Sequence, residues 1–324
     1  MSNINTLEQL TIERGKSRRS YDGLTRAKKL IRKHWQFYLF IAPAVAYILI
    51  FKYVPMVGAQ IAFRDYSPTR GIWGSEWVGF REFARFINSP NFWILIRNTV
   101  SISVLFLTIG FISPITLALA LNEVRTGIFK KTVQMVTYAP HFISTVVMSA
   151  MIIIFLNPRI GFIGKGLDMI TGKMTDFMGV AGAFKFVYVF SDIWQHAGYG
   201  AIIYMAALSG ISPTLYEAAR IDGASRLQKI RHIDFPGILP TVTILLILQA
   251  GEIMNVGFEK VYLLQNALNL PASEIIATYV YKIGIINASF SFGAAVGLFN
   301  SVINFVLLIT VNSVARRVTE HSLW

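Results

Sequence analysis

The side chains in this sequence that could do chemistry stand inside long apolar segments. One group supplies aromatic and imidazole rings, Trp194, His196 and Tyr199, and the other supplies amide and carboxyl groups, Gln249, Glu252 and Asn255. The second group repeats every three residues, so a helix would place its members on one face. Aromatic faces with a few polar groups suit a passage for sugars. Hydrogen bonding between helices is the alternative, and the sequence leaves both open.

The sequence offers no motif for catalysis or for metal binding. The histidines show no close spacing of the kind that metal ligands have: His34, His141, His196, His232 and His321. There is no cysteine for a thiolate site, and neither a nucleophile elbow nor a paired-carboxylate signature is present. We therefore expect no catalytic residue, no metal and no cofactor in this chain.

The composition places these residues in a membrane. The chain of 324 residues is 54% hydrophobic and only 15% charged, whereas soluble domains carry about a quarter charged residues. Crossing the hydrocarbon takes about 20 mostly apolar residues in a helix, which satisfies its own backbone groups in lipid. Six segments qualify, at roughly 36–57, 95–121, 133–156, 186–208, 237–258 and 292–312. The sequence therefore predicts an all-α integral membrane protein with six transmembrane helices.

The basic residues predict the orientation of these spans. Nine of the thirty Lys and Arg residues lie between Arg14 and Lys33, and eighteen of the thirty fall on one side of the predicted membrane. By the positive-inside rule, that side is the cytoplasm. We expect cytoplasmic tails at 1–35 and 313–324 around a transmembrane domain at 36–312. A basic tail beside a membrane binds anionic lipid, so the net charge of +13 does not call for nucleic acid.

The cytoplasmic loop at 212–240 has the pattern of a helical hairpin. Ser212 and Pro213 suit the start of a first helix, and Gly223 suits its left-handed end. Ser225 followed by Gln228 makes a capping box for a second short helix, which we expect to stop before Pro236. The alternative is an ordinary amphipathic loop whose charged residues form a solvated face: Glu217, Asp222, Lys229 and Arg231.

The same loop resembles a known motif. EAARIDGA, from Glu217 to Ala224, is followed after eight residues by IDFP, from Ile233 to Pro236. This pattern is similar to the EAA loop of permease subunits of bacterial ABC importers, with Phe235 where the family usually has Leu. Further stretches resemble the carbohydrate permeases that handle polysaccharide fragments: YVPMVGAQIAFRDY, GIWGSEWVGF, LALALNEVR, YAPHFIS and the terminal SLW. Within that branch the chain resembles the first permease subunit of an alginate importer.

The resemblance implies a fold, a mechanism and partners. It implies the type I ABC importer permease fold, in which this loop docks in a groove on an ATPase subunit and drives alternating access. The implied contact residues are Glu217, Ala218, Ala219, Asp222, Gly223 and Ala224. Implied partners are a second homologous permease, two ATPase subunits and an extracytoplasmic sugar-binding protein. The ATPase would bind ATP and Mg, since this chain has no GxxxxGK[ST] phosphate loop.

Two other classes of protein remain as alternatives from the residues alone. One is a secondary transporter or channel, for which Asp192 and Glu252 would be ion-coupling sites. The other is a membrane-embedded enzyme of polysaccharide assembly. For His141 and Asp192, we favour hydrogen bonding between helices over contact with a substrate. Dependence of transport on an ATPase partner would separate the importer from both alternatives.

Overall fold

The computed structural model of the protein describes residues 32–172 and 174–319. Most of the expected N-terminal tail and the terminal SLW lie outside these ranges. The chain forms two compact units, Met1–Gln60 and Ile61–Trp324. The first unit contains the helix α1, Trp35–Ile48, in which no side chain is buried. This helix continues through a π turn, Leu49–Tyr53, into a 3-10 helix, Val54–Phe63.

A small aromatic subdomain follows in the second unit. It contains the antiparallel pair β1, Arg64–Asp65, and β2, Glu76–Trp77, with the helices α2, Gly71–Gly74, and α3, Arg81–Ile87. Phe63 stacks on Trp77 at 5.5 Å between ring centroids, and the Arg64 guanidinium lies over the Trp77 ring. These contacts stabilise the pair of β1 and β2, whose ladder is only two residues long.

The second predicted span is one long helix. It consists of α4, Phe92–Leu105, a π turn, Phe106–Gly110, and α5, Ile112–Glu123. Together they form a helix of 32 residues, Phe92–Glu123, that is long and apolar enough to cross a membrane. The predicted span 95–121 therefore lies within a helix of the length and composition that the sequence predicts.

The third predicted span, 133–156, corresponds to two helices joined at a sharp bend and not to one continuous helix. The chain forms α6, Ile128–Tyr138, a 3-10 turn, Ala139–Phe142, and α7, Thr145–Leu156, with a bend of 106° between the two parts. Pro140 removes a backbone donor in the turn. Ser144 then starts a new helix, because its side chain accepts a hydrogen bond from the Val147 amide at 3.4 Å.

The fourth predicted span, 186–208, lies within α9, Phe184–Ser209, which follows the short helix α8, Phe162–Thr171. The helix α9 packs closely on α6 at Gly198. A Cβ atom at this position would lie only 2.0 Å from the Thr137 carbonyl oxygen. The glycine is therefore required for the close approach of the two helices.

The hairpin and the fifth span are continuous, which differs from the expectation. The hairpin contains α10, Pro213–Ile221, and α11, Arg226–Lys229. A π turn, Ile230–Asp234, joins α11 directly to α12, Phe235–Gly251, so that Arg226–Gly251 is one helix of 26 residues. The prediction that the second short helix stops before Pro236 is wrong. Pro236 lies just after the π turn, where the regular hydrogen-bond pattern is already interrupted, so its missing donor does not end the helix.

The remaining elements are α13, Phe258–Leu264; α14, Leu270–Ser273; α15, Ile276–Val280; a π turn, Tyr281–Ile286; and α16, Phe290–Thr319. The last helix extends beyond the predicted span end at 312, so the first part of the expected C-terminal tail continues it. In the described part of the chain, four helices are long and apolar enough to cross a membrane, and the bent α6 and α7 pair makes a fifth candidate. The all-α membrane fold is confirmed, while the number of six spans stays a prediction.

One buried cluster sets the geometry of the site described below. It joins three helices through Ile115 and Ala118 of α5, Tyr204 and Leu208 of α9, and Ile238 of α12. These side chains are at most 6% exposed. Because dense packing transmits displacement, the three helices must move together or repack.

Candidate functional site

The fifth span ends inside the helical bundle. The helix α12 stops at Gly251, and residues 252–257 follow as irregular backbone before α13 begins. The expectation that Gln249, Glu252 and Asn255 share one helical face is therefore wrong, since only Gln249 lies in the helix. The three side chains nevertheless line the same cavities.

Side chains from three other helices satisfy the backbone of this unwound segment. Ser103 of α4 donates to the Ile253 carbonyl oxygen. Asn304 of α16 accepts from the Met254 amide at 3.0 Å, and Tyr188 of α9 accepts from the Gly257 amide at 3.1 Å. Irregular backbone at membrane depth is tolerated where it is buried in protein or lines a water-filled cavity. In the unwound segment, Met254 and Val256 are buried in protein, while Glu252 and Asn255 line the cavities.

Two cavities meet at the unwound segment. The smaller has a volume of about 160 Å³ and lies between α4, α9 and residues 249–257. The larger, of about 550 Å³, lies between α5, α9 and α12. Both are lined by Phe106, Gln249, Glu252 and Asn255. The Asn255 side chain accepts a hydrogen bond from Asn300 of α16 at 2.8 Å, which fixes its orientation at the cavity wall.

The larger cavity has a charged wall formed by α9. Asp192 and His196 line it, one helical turn apart, with 3.2 Å between the Asp192 carboxylate and the His196 Nδ1. Behind them, Lys260 of α13 is buried and donates to Asp192 at 3.4 Å and to Gln195 at 3.2 Å. Asp192 is therefore compensated by a buried cation, which is what a carboxylate inside a membrane protein requires.

Glu252 has a different environment from Asp192. Its side chain is exposed, and it makes no ion pair or side-chain hydrogen bond with any residue in the described part of the chain. It faces both cavities, so its carboxylate is available to solvent or to a molecule that enters them. The sequence pointed to Glu252 because of its position in an apolar segment.

The structure does not bring Trp194 and Tyr199 to the larger cavity. Tyr199 stacks face to face on His141, with 3.8 Å between the ring centroids and 2° between the planes. Trp194 lines a separate apolar cavity with Phe155 and Phe190. Of the predicted aromatic group, only His196 lies on the polar wall beside Glu252. Trp194 and His196 are two residues apart, so α9 directs them to different sides, and only the His196 side faces the larger cavity.

Ser103, Tyr188, Lys260 and Asn304 hold the site together through hydrogen bonds, and the sequence reasoning missed them. Three of them lie in predicted spans, and Lys260 lies two residues beyond the predicted fifth span. An unpaired buried polar group is costly, so their presence at membrane depth was the only available signal. Among residues 32–172 and 174–319, no group of three or more His, Asp or Glu side chains is placed to hold a metal ion.

The hairpin has the local geometry that its sequence predicts. Gly223 has a φ of +71°, in the left-handed region, and helix α10 begins at Pro213 as expected. Ser225 and Gln228 form the predicted capping box, with the Ser225 amide donating to the Gln228 Oε1 at 2.7 Å. The Ser212 side chain makes no cap hydrogen bond and instead pairs with Thr214 at 2.8 Å.

The predicted contact residues of the hairpin are mostly open to solvent. Glu217, Ala218, Asp222 and Gly223 are exposed, and Ala219 and Ala224 are half-buried. The Asp222 carboxylate accepts no hydrogen bond within the described ranges. Beside them Ile221 is 86% exposed. Leu215 and Leu227 of the same hairpin are also exposed, at 51% and 73%.

Two polar anchors tie the hairpin to the end of α5. Lys229 donates to both carboxylate oxygens of Glu123, at 2.9 and 3.0 Å. Asp234 is fully buried and accepts from the Tyr216 hydroxyl at 2.6 Å. Burial, together with this hydrogen bond, raises the pKa of Tyr216 to about 12, so the hydroxyl stays a donor at neutral pH. Lys229 is therefore not simply part of a solvated face, as the alternative for this loop supposed.

Comparison with known proteins assigns the chain to a family. Residues 110–320 match the model of the family described as binding-protein-dependent transport system inner membrane component. The chain belongs to this family. As a member, it is a membrane permease subunit of an ABC importer, and ATP hydrolysis is carried out by a separate partner. The family assignment excludes both the secondary transporter and the polysaccharide-assembly enzyme.

Two relatives from Bacillus subtilis strain 168 match nearly the whole permease. Protein LplB is 41% identical over 93% of this chain and 95% of its own length. The polygalacturonan/rhamnogalacturonan transport system permease protein YteP is 42% identical over 91% of this chain and 92% of its own length. The EAA loop and the long apolar segments thus lie within regions that align with both relatives.

A solved structure shows the same fold. A chain from the crystal structure of a bacterial ABC transporter involved in the import of the acidic polysaccharide alginate superimposes with a TM-score of 0.84. It is 37% identical, and the match covers 91% of this permease and 99% of that chain. A second structure of a bacterial alginate ABC transporter, in complex with an alginate pentasaccharide-bound periplasmic protein, gives the same values. The resemblance to carbohydrate importers is therefore confirmed.

Proposed function

We propose that this permease moves oligosaccharides that contain uronic acids into the bacterial cytoplasm by alternating access. The observation that carries the proposal is the break in the fifth span. Broken helices near the middle of the membrane supply binding groups in many transporters, because their free backbone and side chains face a cavity. Here residues 252–257 interrupt the helix near the end of the predicted fifth span, and the larger cavity of about 550 Å³ opens beside them.

The proposed passage is lined by polar groups that suit sugar hydroxyls. Gln249, Glu252 and Asn255 supply amide and carboxylate oxygens, and His196 supplies an imidazole on the facing helix. Pockets that bind small molecules are largely apolar with a few such groups placed to fix orientation. Trp194 and Tyr199 lie outside this wall. We therefore leave both out of the proposed contact surface.

The names of the relatives support an acidic substrate, but the charges on this cavity wall do not attract one. YteP is named for polygalacturonan and rhamnogalacturonan transport, and the solved transporter imports alginate. On this side of the cavity, Lys260 already pairs with Asp192, while Glu252 is uncompensated. Since like charges repel, the cations that attract a uronate must come from the second permease.

The proposed assembly follows from the exposed hairpin and the family. The permease pairs with a second homologous permease, and each docks its EAA hairpin on one of two ATPase subunits that bind ATP and Mg. An extracytoplasmic sugar-binding protein delivers the oligosaccharide. The exposed surface around Glu217, Ala218 and Ile221 supports the ATPase contact. The proposed orientation places both termini and the hairpin in the cytoplasm, in agreement with the distribution of basic residues.

Reconstituted transport tests the function directly. Proteoliposomes that contain both permeases and the ATPase, supplied with the binding protein, should take up labelled uronate oligosaccharides only when ATP is present. Neutral oligosaccharides of the same length serve as the comparison. Uptake without the ATPase, or equal uptake of neutral and acidic oligomers, would contradict the importer mechanism or the substrate class, respectively.

A further inference from the structure

We infer that Glu123 and Asp234 are positioning residues that fasten the coupling hairpin to the second span, so that a displacement of the hairpin moves the cavity wall. The inference deepens the proposed function and rests on it. Glu123 is the last residue of α5, and its carboxylate receives both bonds from Lys229. The side chains of Glu123 and Lys229 are only 13% and 24% exposed.

Asp234 makes the second anchor beside the first. Its Oδ1 atom accepts from Tyr216 of α10 at 2.6 Å and from Asn122 of α5 at 3.4 Å. Its Oδ2 atom is buried and has no hydrogen-bond partner in the part of the chain that the structure describes. The residue therefore links the first hairpin helix, the π turn and the second span at one point. A buried carboxylate held by only one or two donors is sensitive to any movement of those donors.

The second span connects these anchors to the cavity. Glu123 lies nine residues beyond Pro114, a distance of about 14 Å along a helix. Pro114, Ser113 and Phe111 line the larger cavity. Between these two points, Ile115 and Ala118 pack into the buried cluster with α9 and α12. A displacement of Glu123 therefore moves the cavity wall formed by α5, and it also moves α9 and α12, which pack against α5.

Arg226 provides a matched control within the same short helix. It carries the same charge as Lys229, but its Nε atom lies 4.0 Å from the Glu123 carboxylate and its side chain is 81% exposed. Exposed ion pairs contribute little because water screens them. A shielded pair that loses one partner leaves an uncompensated charge. The inference therefore requires Lys229 and Arg226 to behave differently.

A charge-reversal cycle tests the anchor in the assembled transporter. Glu123→Lys and Lys229→Glu should each lower the sugar imported per ATP hydrolysed by about fivefold or more, the range in which coupling between separate sites is normally measured. The double variant should regain most of that ratio, because the pair is restored in reverse. Arg226→Glu should stay near the wild type. The amount of ATPase that co-purifies should not change in any variant.

A measurement on the solubilised chain separates this inference from the proposed function. The chain has no cysteine, so a nitroxide attached at Ile221→Cys reports the hairpin alone. Glu123→Lys should increase the label's mobility, and Glu123→Lys with Lys229→Glu should return it to the wild-type value. If wild-type proteoliposomes show no ATP-dependent uptake, the proposed function fails. The mobility of the nitroxide still shows whether Glu123 and Lys229 hold the hairpin in place.

Three outcomes would overturn the inference. The first is an unchanged ratio of sugar to ATP in both single variants. The second is a double variant that is no better than either single one, and the third is equal label mobility in all of them. A ratio that falls as much for Arg226→Glu as for Lys229→Glu would also count against it, since the effect would then come from the net charge of the loop.

Discussion

The two carboxylates at membrane depth have opposite surroundings. Asp192 is paired with a buried lysine and a histidine, whereas Glu252 faces the cavities and has no ion-pair partner among the described residues. A charge at this depth costs about 2.5–3.5 kcal/mol on insertion scales unless it is compensated or hydrated. The charge of Asp192 is therefore compensated inside the bundle, and Glu252 is the carboxylate that we propose contacts the substrate.

Removing the charge at Glu252 should alter selectivity. Glu252→Gln keeps the size and hydrogen-bonding capacity of the side chain but removes the repulsion of an anion. We expect uptake of uronate oligomers relative to neutral ones to rise by about two- to fivefold, as expected for one screened charge at close range. Competition uptake in proteoliposomes measures this ratio.

The control for Glu252 is Glu259→Gln. Glu259 is also exposed, but it lies in α13 and lines neither of the two cavities. An equal change in both variants would show that the protein's overall charge, and not the cavity wall, sets selectivity.

Asn304 should be required for the unwound segment. Asn304→Leu removes the acceptor of the Met254 amide, which leaves a buried donor unpaired at a cost of about 1–3 kcal/mol. We expect a lower midpoint of thermal unfolding in detergent and reduced uptake. Thr310→Val, on an exposed part of the same helix, is the matched variant. Unfolding midpoints that do not differ between the two would show that Asn304 does not support the break.

At the scale of the elements, the sequence predicts those features of secondary structure that depend on residues close together in the chain. The start at Pro213, the turn at Gly223 and the box of Ser225 with Gln228 depend on contacts within four residues, and all three are confirmed. The break after Gly251 depends on Ser103 and Asn304, which are distant in sequence. Periodicity extends the helix through Asn255 because it contains no information about those partners.

The left-handed turn of the hairpin gives a test at this scale. Gly223→Val places a β-branched residue at a φ of +71°, which costs about 1–2 kcal/mol. The hairpin should change direction, so membrane insertion should survive while ATP hydrolysis loses its stimulation by the substrate. Insertion, ATPase co-purification and stimulated turnover measure these effects.

Gly166→Val is the matched control for this turn. A Cβ atom would meet nothing within 4 Å at either glycine, but only Gly223 has a positive φ. Normal stimulation of ATP hydrolysis by substrate in Gly223→Val would show that the hairpin does not couple the two processes. A loss of equal size in both variants would point to a general effect of valine.

At the scale of the whole molecule, charge asymmetry predicts the orientation and cysteine labelling can test it. Leu227 is 73% exposed on the hairpin, and Thr69 is exposed in the aromatic subdomain. In intact cells, an impermeant thiol reagent should label Thr69→Cys and should not label Leu227→Cys. Ser75→Cys tests accessibility in the same subdomain, because Ser75 is only 4% exposed and should react slowly. Labelling of Leu227→Cys from outside would reverse the proposed orientation.

The continuous helix from Arg226 to Gly251 has a mechanical consequence. Its 26 residues span about 39 Å, which is longer than the hydrocarbon layer of about 30 Å. A torque applied at its cytoplasmic end therefore turns the other end by a similar angle, since no loop intervenes to absorb the twist. With side chains reaching about 5–6 Å from the axis, a rotation of about 20° would swing Gln249 by about 2 Å. That arc is comparable to the length of a hydrogen bond, so a small rotation outside the membrane is enough to make or break a contact with a sugar.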